Sequence, residues 1–198
     1  RSTQGVSSAA SDVYKRQGSD SFAFDITDFV GDGKEHSIVV HAESDLRSGT
    51  QPGGKQSTNY YSYGCSYTRT TGIWQTVWME AVAPEALARV QMTTDIDQQQ
   101  LIVAPQFFRE SPNTLRVTLR DGGKVVGTRQ VRASNSSVVV IPVKKARLWC
   151  PEDPFLYDLT YEVVAPDGQV LDAVKSYVGM RKVHIEGNKI YLNNDPYY

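Results

Sequence analysis

The stretch TLRVTLR, residues 114–120, alternates without a break: Leu115, Val117 and Leu119 share one side, Arg116, Thr118 and Arg120 the other. A period of two lines up one face of a strand, whereas on a helix the same residues would scatter round the axis. YDLTYEV repeats the pattern with Tyr157, Leu159, Tyr161 and Val163. Asp121-Gly122-Gly123 and Pro166-Asp167-Gly168 supply turn chemistry between such segments, and KVVGTRQV, VLDAVKSYV and KIYL read as further strands. Short antiparallel strands with regular turns predict an immunoglobulin-like β-sandwich over 86–185, followed by 186–198. The chain is expected to be all-β.

The N-terminal part reads differently. FAFDITDFV, the turn Gly31-Asp32-Gly33 and HSIVVHAE suggest two strands and a tight connection. Residues 48–64 contain no Leu, Ile, Val or Met, which marks a long loop with a functional use or no fixed structure. SYTRTTGIWQTVWMEAV, residues 66–82, reads as a strand carrying Trp74 and Trp78 on one face, expected to be mostly core or covered by a neighbouring domain. Residues 18–84 therefore form a first β unit, and PEALAR reads as a linker. Residues 1–17 show no apolar periodicity, and Asp12 to Gln17 resembles translated sequencing-adapter DNA. They are set aside as non-native.

Charge and composition exclude several functions. With 21 basic and 22 acidic residues the net charge is −1, so no overall field favours nucleic acid or anionic lipid. The longest aliphatic run, Val138 to Val143, includes Pro142 and is too short to cross a bilayer. Cys65 and Cys150 are far apart in sequence, which argues against a disulfide framework and a cysteine metal site; both are expected as buried thiols. His36 and His41 fall on opposite faces of a strand, so no shared metal is expected. No phosphate-binding loop and no cofactor motif is present. Asp95/Asp97 and Glu43/Asp45 are the acid pairs at strand spacing, and solvated edge positions account for them without catalysis. The tyrosines Tyr60, Tyr61, Tyr63 and Tyr67 sit among small polar residues. Such a surface suits stacking against sugar rings, or covers the end of a sandwich; composition leaves both open.

Separated motifs carry a resemblance that bears on this choice. YTRTTGIWQTVWMEAV resembles the end of the N-terminal sugar-binding jelly roll of glycoside hydrolase family 2, the β-galactosidase and β-glucuronidase family, through Arg69, Gly72, Ile73, Trp74 and Val77. FAFDITDFV fits the middle of that galactose-binding-like domain. LWCPEDPFLYDLTYEV is similar to the family's signature in the following immunoglobulin-like domain, through Trp149, Pro151, Pro154, Leu156, Tyr157 and Leu159. SYVGMRKVHIEGNKIYLNNDPYY, with Gly179 and Arg181, resembles that domain's exit and the lead-in to a catalytic barrel.

The resemblance implies a partial jelly roll (18–84), a complete sandwich (86–185) and a (β/α)8 barrel, expected outside this sequence, that holds both catalytic glutamates of a retaining glycosidase. The chain itself is then expected to be inactive, with carbohydrate substrate and the barrel as its partners. Tyr60, Tyr61, Tyr63, Ser66, Tyr67 and Arg69 become candidates to face the barrel mouth. Ser66 stands where the large β-galactosidases carry an acidic residue, a departure from the galactose-specific pattern. The alternative is a free-standing carbohydrate-binding module.

Overall fold

The computed structural model describes residues 5–7, 10–12, 21–31, 33–50 and 52–197. The chain divides into two compact units, Arg1–Val77 and Trp78–Tyr198. In the first, β1 (Gly5–Ser7) and β2 (Ala10–Asp12) pair antiparallel. The expectation that residues 1–17 stand apart from the fold otherwise falls outside the described residues.

The second unit holds the sandwich. One layer has three strands in the order β3 (Leu87–Asp95), β4 (Gln100–Phe107), β7 (Val139–Pro142). The other has four: β6 (Lys124–Arg132), β5 (Thr114–Asp121), β8 (Tyr157–Val164) and β9 (Val170–Val178). Every pairing is antiparallel. The fourth strand of the sandwich, β6, pairs with the third, β5, so the layers hold three and four strands. Beyond the sandwich, β10 (Val183–Glu186), β11 (Lys189–Leu192) and β12 (Asp195–Pro196) form a small meander.

Alternation decides which side chains meet between the layers. Leu115, Val117 and Leu119 of β5 are fully buried, as are Leu159 and Val163 of β8, Leu101 and Val103 of β4, and Ile141 of β7. Removing apolar surface from water at ~25 cal/mol per Å² is what holds such a core. Tyr161 points the same way; its hydroxyl donates to Met92 Sδ at 3.2 Å, and burial pushes its pKa up to about 12. Thr118, on the opposite face of β5, is buried as well, and its hydroxyl lies 3.3 Å from that of its cross-strand partner Thr128. The turn after β8 works as its residues suggest: Gly168 takes φ 91°, and Asp167 Oδ1 accepts the amide of Gln169 at 2.9 Å. Gly127 of β6 leaves room for Ile141 of β7, since a Cβ there would lie 2.8 Å from Ile141 Cγ2.

Charged pairs trim the surface of this unit. Arg116 donates to Glu162 at 2.8 Å across the β5–β8 register, and Lys182 and Asn194 both donate to Asp97, at 2.6 and 2.8 Å. Arg147 grips Asp153 through two nitrogens. These donors hold Glu162, Asp97 and Asp153 below the usual carboxylate range. Because folding lowers these pKa values, the stabilisation is complete above the ordinary values of 4.5 for Glu and 3.8 for Asp and is lost as pH falls through the lowered ones. Thermal melts are expected to be flat from neutrality to about pH 5 and to fall below it. Glu162→Gln should shrink that acid-side slope; a variant with the wild-type slope would show that the pair contributes nothing.

The first unit departs from expectation. The strands read at FAFDITDFV, HSIVVHAE and 66–82 do not form: the first contains a single helical turn, α1 (Thr27–Val30), and the others run without ladder partners apart from isolated bridges. A strand needs a neighbour along its length for its amides and carbonyls, and among the described residues these segments have no ladder, only the bridges at Ser66 and Tyr67. Trp74 and Trp78, expected mostly in a core or under a neighbour, are 71% and 72% exposed. Among the described residues of this unit no apolar side chain is buried. Cys65 is likewise exposed, not buried; it sits at the tip of a turn where nothing covers it, while Cys150 is half-buried.

Candidate functional site

The polar-aromatic loop is organised round a buried serine. Ser57 Oγ donates to the carbonyl oxygens of Tyr61 (2.8 Å) and Asn59 (3.2 Å), and accepts the amide of Asn59 at 3.0 Å. Its own amide donates to the Tyr67 carbonyl at 2.7 Å, and the Tyr67 amide donates to Lys55 O at 2.7 Å. The two passes of chain are thereby stapled together. Tyr63 and Ser66 close a tight turn through reciprocal backbone bonds of 3.1 and 2.8 Å, with Gly64 at φ 51°. Gln56 Oε1 accepts the amide of Thr70 at 3.0 Å and fixes the start of the next segment.

On this frame the candidates come together. Tyr60, Tyr61, Tyr63 and Tyr67 are all exposed, while Ser66 and Arg69 are half-buried. The rings of Tyr61 and Tyr63 meet edge-on with centroids 6.4 Å apart. The Arg69 guanidinium lies over Tyr60 at 4.4 Å from its centroid, and Arg47 lies against the same ring at 4.9 Å. Lys55 Nζ stands 6.0 Å from the Tyr67 ring. Sequence reasoning missed Arg47, Lys55 and Ser57. The first two had a signal: from Leu46 to Met79 there are three basic residues and no acid. Ser57 had none. Gly72, Ile73, Trp74 and Val77 are exposed.

The remaining motif residues converge in the second unit. Gly179 approaches the Trp149 ring so closely that a Cβ would meet its Cβ, Cγ and Cδ1 at 3.1 Å, and Arg181 lies over the ring at 4.7 Å. The Trp149 amide donates to Met180 O at 2.9 Å. Pro151 occupies the turn between Cys150 and Asp153, which exchange backbone bonds of 3.1 Å, and Pro154 leads from it into β8. Tyr157 is buried, stacks edge-on with Phe155 at 4.9 Å and accepts the Arg147 amide at its hydroxyl. Beside Trp149 and Arg181 lies an open cleft of about 640 Å³, bordered by Met92, Tyr177 and Val183.

Neither cluster is arranged for acid–base chemistry. Asp95 caps its own turn, accepting the Gln98 amide at 2.9 Å, and Asp97 is held by Lys182 and Asn194. Asp45 accepts the Arg47 amide at 3.0 Å. Among the described residues the carboxylates whose pKa is displaced, Asp25, Glu85 and Glu110 included, are displaced downwards, whereas a general acid working near neutrality is raised. Among the described residues no three His, Cys, Asp or Glu side chains gather to hold a metal ion.

Comparison with known proteins agrees with the geometry of the second unit. Residues 86–181 match the model of glycosyl hydrolases family 2. A β-glucuronidase of Paenibacillus borealis is 25% identical over 189 residues, covering 89% of this chain and 31% of that protein. A β-galactosidase large subunit of Leuconostoc lactis is 37% identical over 86 residues, covering 42% of this chain and 14% of the relative. The solved β-glucuronidase of Ruminococcus gnavus in complex with uronic deoxynojirimycin is similar at 26% identity and a TM-score of 0.50, over 58% of this chain and 19% of that one. The chain thus spans less than a third of the length of these relatives. The stretch in which this chain is similar to glycosyl hydrolases family 2 is thus residues 86–181, the sandwich of the second unit.

Proposed function

We propose that the chain is a non-catalytic part of a retaining family 2 β-glycosidase, supplying a rigid sandwich and a loop that borders the sugar-binding mouth. The two glutamates that cleave the O-glycosidic bond would then lie in the part of the enzyme outside these 198 residues. The observation that carries this reading is the division of labour between the motifs. Trp149, Gly179 and Arg181 pack against one another as a structural clasp, while Tyr60, Tyr61, Tyr63 and Tyr67 are left exposed beside Arg69. A scaffold with an exposed polar-aromatic rim narrows an adjoining site and selects what enters it. A free-standing carbohydrate-binding module would need the loop-bearing unit to be self-sufficient, and no apolar side chain among its described residues is buried.

Incubation of the chain with aryl β-glucuronides and aryl β-galactosides is expected to release no aryl alcohol above the buffer rate. In the same samples, saturating the tyrosine ring protons should transfer signal to an added methyl β-glycoside. Turnover would refute the assignment of chemistry to another part of the enzyme, and absence of transfer would refute the mouth role of the loop.

A further inference from the structure

One segment of the first unit is complementary to itself. Residues 34–45, KEHSIVVHAESD, contain no glycine or proline and carry the β-branched run Ile38, Val39 and Val40. All are exposed except the half-buried Ala42, and Val39 reaches 89% exposure. Among the described residues no amide or carbonyl of residues 37–43 enters a hydrogen bond. A row of unused backbone groups beside exposed apolar side chains is what an added strand pairs with.

Charge selects the partner. Laid antiparallel on a second copy of itself with Val39 opposite Val40, the segment brings Lys34 opposite Asp45 and His36 opposite Glu43. By two-fold symmetry each meeting occurs twice. A slip of one residue destroys the match: in one direction Glu35 meets Glu43, in the other Glu35 meets Asp45. A parallel pairing in register stacks every charge on its like. The other strand-forming stretch of this unit, residues 73–82, has Glu80 as its single charged residue, and so nothing there fixes a register by charge.

We infer that residues 34–45 form a dimerisation strand, which pairs antiparallel with the same residues of a second copy of this chain about a two-fold axis at Val39 and Val40. The pairing supplies the neighbour that residues 37–43 lack among the described residues, and it takes part of Ile38, Val39 and Val40 out of water. The charged ends hold the two strands in one register. This role is separate from the reading of the tyrosine loop and does not depend on it.

Two strands alone are only marginally stable in water, so the dimer is expected to be reversible and to populate in the upper micromolar range. Sedimentation equilibrium should show a mass that rises with concentration from 22.0 kDa toward twice that value and no further. Hydrogen exchange at the amides of residues 37–43 should slow over the same range. Lys34→Glu and, separately, Asp45→Lys set like charges opposite one another, and each should weaken dimerisation about tenfold or more at low salt while the sandwich melts unchanged. An equimolar mixture of the two variants should dimerise like the parent, because each copy then meets an opposite charge at both ends. A chain that stays monomeric throughout would overturn the inference, as would assembly past two copies. So would a dimer whose amides at 37–43 exchange as in the monomer. Single variants that dimerise as well as the parent, or a mixture no better than either alone, would refute the register and with it the strand pairing.

Discussion

Leu159→Ala is expected to lower the stability of the sandwich by about 2–5 kcal/mol, the range for truncating a fully buried leucine whose surroundings cannot collapse. On a unit of this size that corresponds to a melting temperature lower by roughly 10–20 °C. Leu159 lies in the middle of β8, opposite Leu119 on β5 and Ser176 on β9, and is 1% exposed. Both its neighbours on the ladder are paired, so the backbone cannot move inward to fill the space that alanine leaves. Asp158→Ala, one position along and exposed, changes the strand's charge without touching the core and should stay within about 0.5 kcal/mol of the parent. Near-ultraviolet circular dichroism during heating follows the loss of tertiary packing. Equal melting of the two variants would mean that the inward face of β8 is not the one that holds the layers together.

The second large effect concerns proteolysis. Trypsin is expected to cut after Arg47, Lys55 and Arg69 roughly a thousand times faster than after Arg116, Arg120 or Arg129. The first three lie in a unit with no buried apolar side chain among its described residues, so cleavage there needs only local opening. The last three lie within β5 and β6, where exposing the backbone means separating paired strands. Mass spectrometry of a digestion time course should show a fragment holding β3 to β9 persisting after the loop fragments have appeared. Early loss of that fragment would show that the sandwich depends on the first unit.

The contrast between the units also explains what could be read in advance. Leu115, Val117 and Leu119 announced their burial because a half-buried strand writes its two faces directly into alternate residues, and Tyr157, Leu159, Tyr161 and Val163 did the same. HSIVVHAE and the segment bearing Trp74 and Trp78 carry strand-forming residues just as plainly, yet form no strand ladder among the described residues. Propensity describes what a segment would do beside a neighbour, and does not supply the neighbour. The site was half legible. The tyrosine cluster stood out by composition, whereas Arg47 reaches Tyr60 only through the folding of the loop between them, thirteen positions along. Gly179 and Trp149, thirty positions apart, could be matched to a motif, but their contact depends on how β9 and the turn before β8 come together.

Asn193 holds the meander to the sandwich with both ends of its side chain. Its Nδ2 donates to Trp149 O at 3.0 Å, its Oδ1 accepts the Lys182 amide at 3.1 Å, and its own backbone sits at φ 56°, a conformation asparagine tolerates better than most residues. Hydrolysis of that amide to an acid, a slow chemical change to which asparagine is prone, would replace the donor with an oxygen facing a carbonyl oxygen. The fastening would fail through exchange of one atom, with no change of size. The chain thus carries, where the meander meets the sandwich, a built-in site of ageing.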